Sequence, residues 1–258
     1  MLQIAIDTAK NAGKILTENL GKVRHIEHKG GEATNLVTEV DKESERFIIG
    51  TLKKHFPGHD FLGEETGEYK IQSEYRWIID PLDGTVNYAH GLPIFSVSIA
   101  LEYKGEIVLG VVYDPSHDEL FSAEKGKGAY LNNVRLSVSK ASQLIDSLLV
   151  TGFPYDVKND VNSYLNPFKE FMIEGQAIRR LGSAALDLAY VACGRFDGFW
   201  EGKLNAWDMA AGVLLVTEAG GRWTDYDGNP STVYNPKMLA TNGRIHQQMV
   251  DVLKRCNA

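Results

Sequence analysis

Cysteine is scarce. Cys193 and Cys256 are the only two in 258 residues, too few for a disulfide framework and without metal-binding spacing. A reduced, cytoplasmic setting is the expectation. No apolar run approaches the roughly 18–20 residues that a membrane span needs; "SLLV" at 147–150 is far too short. The opening "MLQIAIDTAKNAGK" lacks the basic start and apolar block of a signal peptide. Basic residues are outnumbered: 27 Lys and Arg against 34 Asp and Glu give a formal charge of −7. That balance argues against a chain whose main work is gripping nucleic acid, and no membrane partner is expected. Where an anion binds, positive charge must be supplied locally, and a bound metal can supply it. His25 and His28 join no cluster that suggests zinc and read as surface histidines. Internal repeats, low-complexity segments and flexible linkers are also missing.

What is present is an ordinary globular composition, 43% hydrophobic and 24% charged. Ala5, Ala9, Ala12 and Leu16 recur at helical spacing over residues 2–20, with Gly21 placed to end a helix. Val40, Phe47, Ile48 and Leu52 suit a second helix, closed by "HFPG". Between 92 and 140, β-branched runs separated by turn residues predict an antiparallel meander. The second half alternates. "SLLVTGF", "AIRRLG", "RFDGFWEG", "GRWTDYDG" and "MLATN" read as strands. "YLNPFKEFMI", "SAALDLAYVACG", "WDMAAGVLLVTEAGG" and "GRIHQQMVDVLKR" read as helices, Pro167 complicating the start of the first. The expectation is an α/β (α+β) chain forming one domain over 1–258. Its subdomains would be 1–140 and 141–258, with the seam near 138–146.

Acids punctuate this pattern. In "WIIDPLDGTVNY", a buried strand delivers Asp80 at its carboxyl end, a place where α/β proteins gather ligands. Pro81 stiffens the turn to Asp83, Gly84 allows an unusual backbone conformation, and Thr85 opens a helical turn whose N–H groups favour phosphate oxygens. A plain acidic turn remains the alternative at this level. "FLGEE" sets Glu64 and Glu65 after another short strand. Asp208 in "NAWDMAAG" and Asp41 in "NLVTEVD" each stand early in a helix, where an acid can do no more than cap. Together the acids form the oxygen-rich set that a hard divalent cation such as Mg²⁺ prefers.

"GEE" at 63–65, "DPLDGT" at 80–85 and "WDMAAG" at 207–212, in this order, resemble the inositol monophosphatase family of Mg²⁺-dependent, lithium-sensitive sugar phosphatases. "NLVTEVD" at 35–41 and "GSAALDLAY" at 182–190 extend the resemblance over nearly the whole chain. It implies a layered αβαβα sandwich and a homodimer. It implies one Mg²⁺ on Glu64, Asp80 and the Leu82 carbonyl, a second on Asp80, Asp83 and Asp208, and a third, weaker ion reached by Glu64 through water. Glu64, Asp41 and Thr85 become the catalytic set, the last two orienting or deprotonating the attacking water. Asp83, Gly84, Thr85 and Asp208 would face the phosphate, and Gly182, Ser183, Ala184 and Glu201 the substrate hydroxyls. Lys29 would lie in a mobile loop within "HKGGEATN" at 28–35.

The implied substrate is a small phosphorylated sugar or polyol, inositol monophosphate first. Fructose 1,6-bisphosphate, a nucleotide 3′-phosphate or NADP are alternatives on the same site. Arg179 and Arg180 would either reach a second phosphate or form a structural ion pair. A non-catalytic metal-binding or regulatory module, or a nucleic-acid-associated partner, are the rivals from other classes.

Overall fold

The computed structural model of the chain describes residues 1–23, 26–28 and 36–256. Lys29 and the loop around it lie outside these residues, as does His25. Helices α1 (Leu2–Asn19) and α2 (Glu39–His55) pack together, with an antiparallel ribbon of β1 (Ile26–His28) and β2 (Leu36–Thr38) between them in sequence. Strands β3 (Asp60–Gly63), β4 (Gly67–Tyr69) and β5 (Tyr75–Asp83) follow, then the short helix α3 (Thr85–Ala89). The meander is β6 (Ser96–Tyr103), β7 (Glu106–Asp114), β8 (Glu119–Glu124), β9 (Gly128–Leu131) and β10 (Val134–Arg135). These strands form one sheet in the order β10-β9-β8-β7-β6-β5-β3-β4, antiparallel except where β3 meets β5.

The second half runs β11 (Leu148–Thr151), α4 (Val161–Glu174), β12 (Ala177–Arg179), α5 (Ala184–Ala192), β13 (Gly198–Glu201) and α6 (Ala206–Glu218). It ends with β14 (Arg222–Thr224), β15 (Met238–Thr241) and α7 (His246–Cys256). Its sheet has the order β12-β11-β13-β15-β14, parallel over β12, β11 and β13 and antiparallel beyond.

Strand periodicity sorts the side chains into layers. In the large sheet Ile79, Ile99 and Val111 face α1 and α2, while their neighbours Ile78, Ala100 and Val112 face α5 and α6. In the smaller sheet Val150, Phe199 and Ala240 face the same two helices, and Leu149, Trp200 and Leu239 face α4 and α7. The result is a five-layered αβαβα sandwich. Helices α5 and α6 are pressed between two sheets, which is why "MAAGVLLV" is apolar on every side and "AALDLAYVA" nearly so, Asp187 being the exception. Among the described residues, no helix is long and apolar enough to cross a membrane.

Four expectations need adjustment. Strand β5 does not end at Asp80 but continues to Asp83. Helix α4 starts at Val161, capped by Asp160, and carries Pro167 inside it with the ring buried. Strand β14 ends at Thr224, because the Asp225 carboxylate accepts the N–H groups of Asp227 and Asn229 and turns the chain. Strand β12 stops at Arg179, one residue short of Arg180.

The central layer leaves no room at Gly110 on β7. A Cβ there would lie 2.8 Å from the Ala211 carbonyl oxygen and 3.0 Å from its Cα on α6. Gly110→Ala should therefore destabilise the protein by about 1–3 kcal/mol. A urea midpoint that does not move would show that α6 yields freely at this contact.

Candidate active site

In a regular strand, residues three apart point to opposite faces. Asp80 pairs with Ser98 and Asp83 with Ser96, so one extra residue is inserted on β5 between them. This bulge turns both carboxylates toward one cleft. The turn is held from several sides. The Leu82 N–H donates to Asp80 Oδ1 at 3.0 Å, and Ser44 Oγ of α2 donates to the Pro81 carbonyl at 3.0 Å. Gly84 has φ +99°, and a side chain there would meet the Ile94 carbonyl at 2.9 Å.

Two other elements complete the acidic floor. The Asp83 carboxylate reaches the start of α5, accepting from Ser183 Oγ at 2.6 Å, the Ala185 N–H at 2.7 Å and the Ala184 N–H at 3.3 Å. Asp208 lies in the first turn of α6 and accepts the Asn205 N–H at 2.6 Å, half of a reciprocal cap. Helices α5 and α6 therefore both direct their positive ends at the acids. Asp80, Asp83 and Asp208 each offer an oxygen, all within 4.8 Å of one another. Glu64 lines the same cleft, its main chain anchored by an N–H bond to the Ile79 carbonyl at 3.2 Å.

Crowding has an electrostatic price. Burial, Glu64, Asp83 and Asp208 push the Asp80 carboxyl well above the usual range. Burial, Asp83 and Glu64 do the same to Asp208. Asp83 rises to about 6 through burial, restrained by its bonds to Ser183 and Ala185. Without a cation, burial and mutual repulsion favour the protonated form of these acids. A hard divalent ion would replace the protons with a charge that all these oxygens can share, and an all-oxygen donor set suits Mg²⁺. The residues fit such a group.

Asp41 does not line the cleft. It is fully buried behind it, caps α2 through Thr38 (Oγ1 to Oδ2 2.5 Å, N–H to Oδ2 2.9 Å), and is reached by Thr85 Oγ1 at 3.0 Å from its Oδ1. Thr85 Oγ1 also lies 3.1 Å from the Leu82 carbonyl. Burial raises the Asp41 carboxyl to about 6.

The cleft, about 280 Å³, extends from the acids past Gly84, Thr85, Gly182, Ser183 and Ala184 to Glu201 at the end of β13. The Glu201 carboxylate presses on Gly152, where any Cβ would collide with it. Burial raises this acid to about 8, with Arg180 pulling the other way. Arg180 itself lines the cleft while Arg179 does not, which separates the two arginines. Tyr155 and the Lys203–Asp156 ion pair also line it, and none of these three is marked by a sequence motif. Glu65 is outside the cleft and gives its N–H to Glu45. Asp187 was missed too. It is buried on α5 with no hydrogen-bond partner to either oxygen, held well above the usual range by burial and then by Glu201. A lone acid in "AALDLAYVA" was the available signal.

The model of the inositol monophosphatase family matches residues 1–258. An inositol-1-monophosphatase of Mesorhizobium japonicum is 42% identical over 99% of this chain and 96% of its own length. The Nus factor SuhB of Escherichia coli K12 is 43% identical over 99% of each. Among solved structures, the extragenic suppressor protein suhB of Bartonella henselae superposes with a TM-score of 0.93 at 43% identity, over 98% of both chains. The inositol monophosphatase of Anabaena gives 0.90 at 45%, over 98% of this chain and 95% of that one.

The raised acids tie stability to pH. Their folded forms keep protons that the unfolded chain releases near pH 4. The stability they contribute is full below that pH. In metal-free protein it is lost as pH rises through about 6 for Asp41 and Asp83 and about 8 for Glu201. Metal-free protein should melt lower at pH 8 than at pH 5.5, and Mg²⁺ should restore more at pH 8. Asp80→Asn takes one titrating acid out of this cluster and should narrow the gap between the metal-free melting temperatures at pH 5.5 and pH 8. A wider gap would contradict this account.

Proposed function

The chain belongs to the inositol monophosphatase family, and on that premise we propose that it is a Mg²⁺-dependent phosphomonoesterase for inositol monophosphate or a related sugar or polyol phosphate. One observation carries the reading. Two buried carboxylates, Asp80 and Asp83, and the half-buried Asp208 meet within 4.8 Å at one end of a cleft whose other end holds a separate carboxylate, Glu201. The first end suits cations and phosphate, the second a polyhydroxylated leaving group.

Glu64, Asp80 and the Leu82 carbonyl would hold one ion and Asp80, Asp83 and Asp208 another, with Glu64 reaching a third through water. Bound there, such ions offset phosphoryl charge and acidify a water. Gly84 and Thr85 open α3, where the first N–H groups have no acceptor within the helix, and offer them to phosphate oxygens. Thr85 Oγ1 takes a proton from the attacking water as its own passes to Asp41 Oδ1, 3.0 Å away. An acid raised to about 6 is a serviceable base near neutral pH. Ser183 and Ala184 act through Asp83, which they hold, as well as toward the substrate. Glu201 accepts from the substrate hydroxyls. A homodimer in a cytoplasmic setting belongs to the same proposal.

The relatives named Nus factor SuhB raise a second reading, a regulatory factor on this fold. Such a factor has no need for Glu64, Asp80, Asp83, Thr85 and Asp208 all together, and their joint presence favours the phosphatase. A panel of phosphorylated polyols, sugars and nucleotides assayed with Mg²⁺ separates the two; no turnover of any ester would leave only the regulatory reading.

Two variants test the division of the cleft. Asp80→Asn should lower kcat at saturating Mg²⁺ by roughly 10²–10³-fold, the scale of losing one preorganised charged group. Glu201→Gln should lower kcat/KM for inositol monophosphate by roughly tenfold to a hundredfold, from a lost charge-assisted bond. An aryl phosphate, with no hydroxyls to offer, should react almost as before. The cost of Glu201→Gln should grow as pH rises through about 8, where this acid ionises. Equal damage to both esters would place Glu201 in the catalytic or folding machinery instead.

A further inference from the structure

Ser44 and Glu45 are consecutive buried residues of α2, and each grips a different turn of the site. Ser44 holds the Pro81 carbonyl between Asp80 and Asp83. Glu45 lies outside the cleft lining and touches none of the three clustered aspartates through a hydrogen bond. Its carboxylate is instead divided between two main-chain donors: Oε2 accepts the Glu65 N–H at 3.0 Å and Oε1 accepts the Thr66 N–H at 2.7 Å. The contact is close, since a Cβ on Gly63 would lie 2.5 Å from Oε2. Gly63 and Glu65 are the two neighbours of Glu64. On its other side, Glu64 gives its own N–H to Ile79, the residue before Asp80. The backbone of Glu64 is thus held between β5 and the Glu45 carboxylate.

A carboxylate taken out of water is costly unless its oxygens are satisfied. A core position facing Gly63 would be filled more cheaply by an apolar side chain if packing were the only demand. We propose that Glu45 is a positioning residue for the metal site: by fixing the 63–66 turn it sets where the Glu64 carboxylate stands relative to Asp80. The inference rests on the metal-dependent reading above.

The test is a double-mutant cycle read by metal binding without substrate. Wild type, Glu45→Gln, Glu64→Gln and the double variant are titrated with Mg²⁺ by calorimetry and with Mn²⁺ by electron paramagnetic resonance. Glu45→Gln should weaken binding by roughly 10–100-fold, as loss of a supporting contact to a metal ligand does. In the Glu64→Gln background the same change should cost no more than about threefold, because its route is gone. Glu43→Gln, the same charge change at an exposed position of α2, should bind as wild type. At saturating Mg²⁺ the kcat of Glu45→Gln should return toward wild type. If Glu45→Gln does not fold, Glu45→Asp replaces it in the cycle, keeping the charge and withdrawing it by one methylene. Equal losses in both backgrounds, or unchanged binding in folded Glu45→Gln, overturn the proposal. Absence of saturable binding by the wild type overturns the metal-dependent reading itself and this inference with it.

Discussion

Several carboxylates held side by side and away from water repel one another, and much of the architecture around the cleft is a means of keeping them there. Unpaired, each would move away or keep a proton. Asp83 stays because three donors at the start of α5 fix it, and Asp208 because it closes the cap of α6. Asp80 stays because its strand is buried and the next turn donates back to it. The repulsion that survives these bonds is latent affinity for a cation: whatever destabilises the metal-free floor is released when a positive ion binds.

The five layers explain why such a floor forms here. Helices α5 and α6 lie between two sheets, and their amino ends open onto the cleft. Small residues let this central layer close on its neighbours: Gly110 passes under Ala211, and Gly212 under Leu188. The large sheet supplies Asp80 and Asp83, the turn after its strand β3 supplies Glu64, the helix layer supplies Asp208 and the donors, and the smaller sheet supplies Glu201. No single element carries the chemistry. Packing that aligns the layers is therefore part of the site.

Local signals in the chain were readable because they are short-range. The repeat in α1, the alternation in the meander and the acids after apolar strands all follow from periods of 3.6 and 2. "DPLDGT" was legible as an unusual turn, and the order of three acidic motifs marked the family. The bulge was not legible, because it depends on the register of β6, and so β5 was ended too soon. The bond from Ser183 to Asp83 joins residues 100 apart in sequence, and nothing in "GSAAL" announces that its hydroxyl holds an acid of the cleft. Arg180 and Arg179 look alike on paper; only the end of β12 decides which one enters the cleft. Glu45 reads as one more polar residue on a helix, and its importance lies in two amides some 20 positions on.

The separate origins of the two ends of the cleft have a consequence for specificity. On the proposed reading, the end for cations and phosphate is fixed by the large sheet and the starts of α5 and α6, which are bonded to Asp83 and Asp208, so a change there disturbs the acids as a group. Glu201 sits on the smaller sheet and is braced by Gly152 on the neighbouring strand segment, outside that network of donors. Arg180, Tyr155 and the Lys203–Asp156 pair stand around it on loops and strand ends. Substitution among these residues can alter which alcohol is received while leaving the acids in place. On that reading one acidic floor can serve different leaving groups, because the constraint that binds the carboxylates together stops short of the part of the cleft proposed to meet the alcohol.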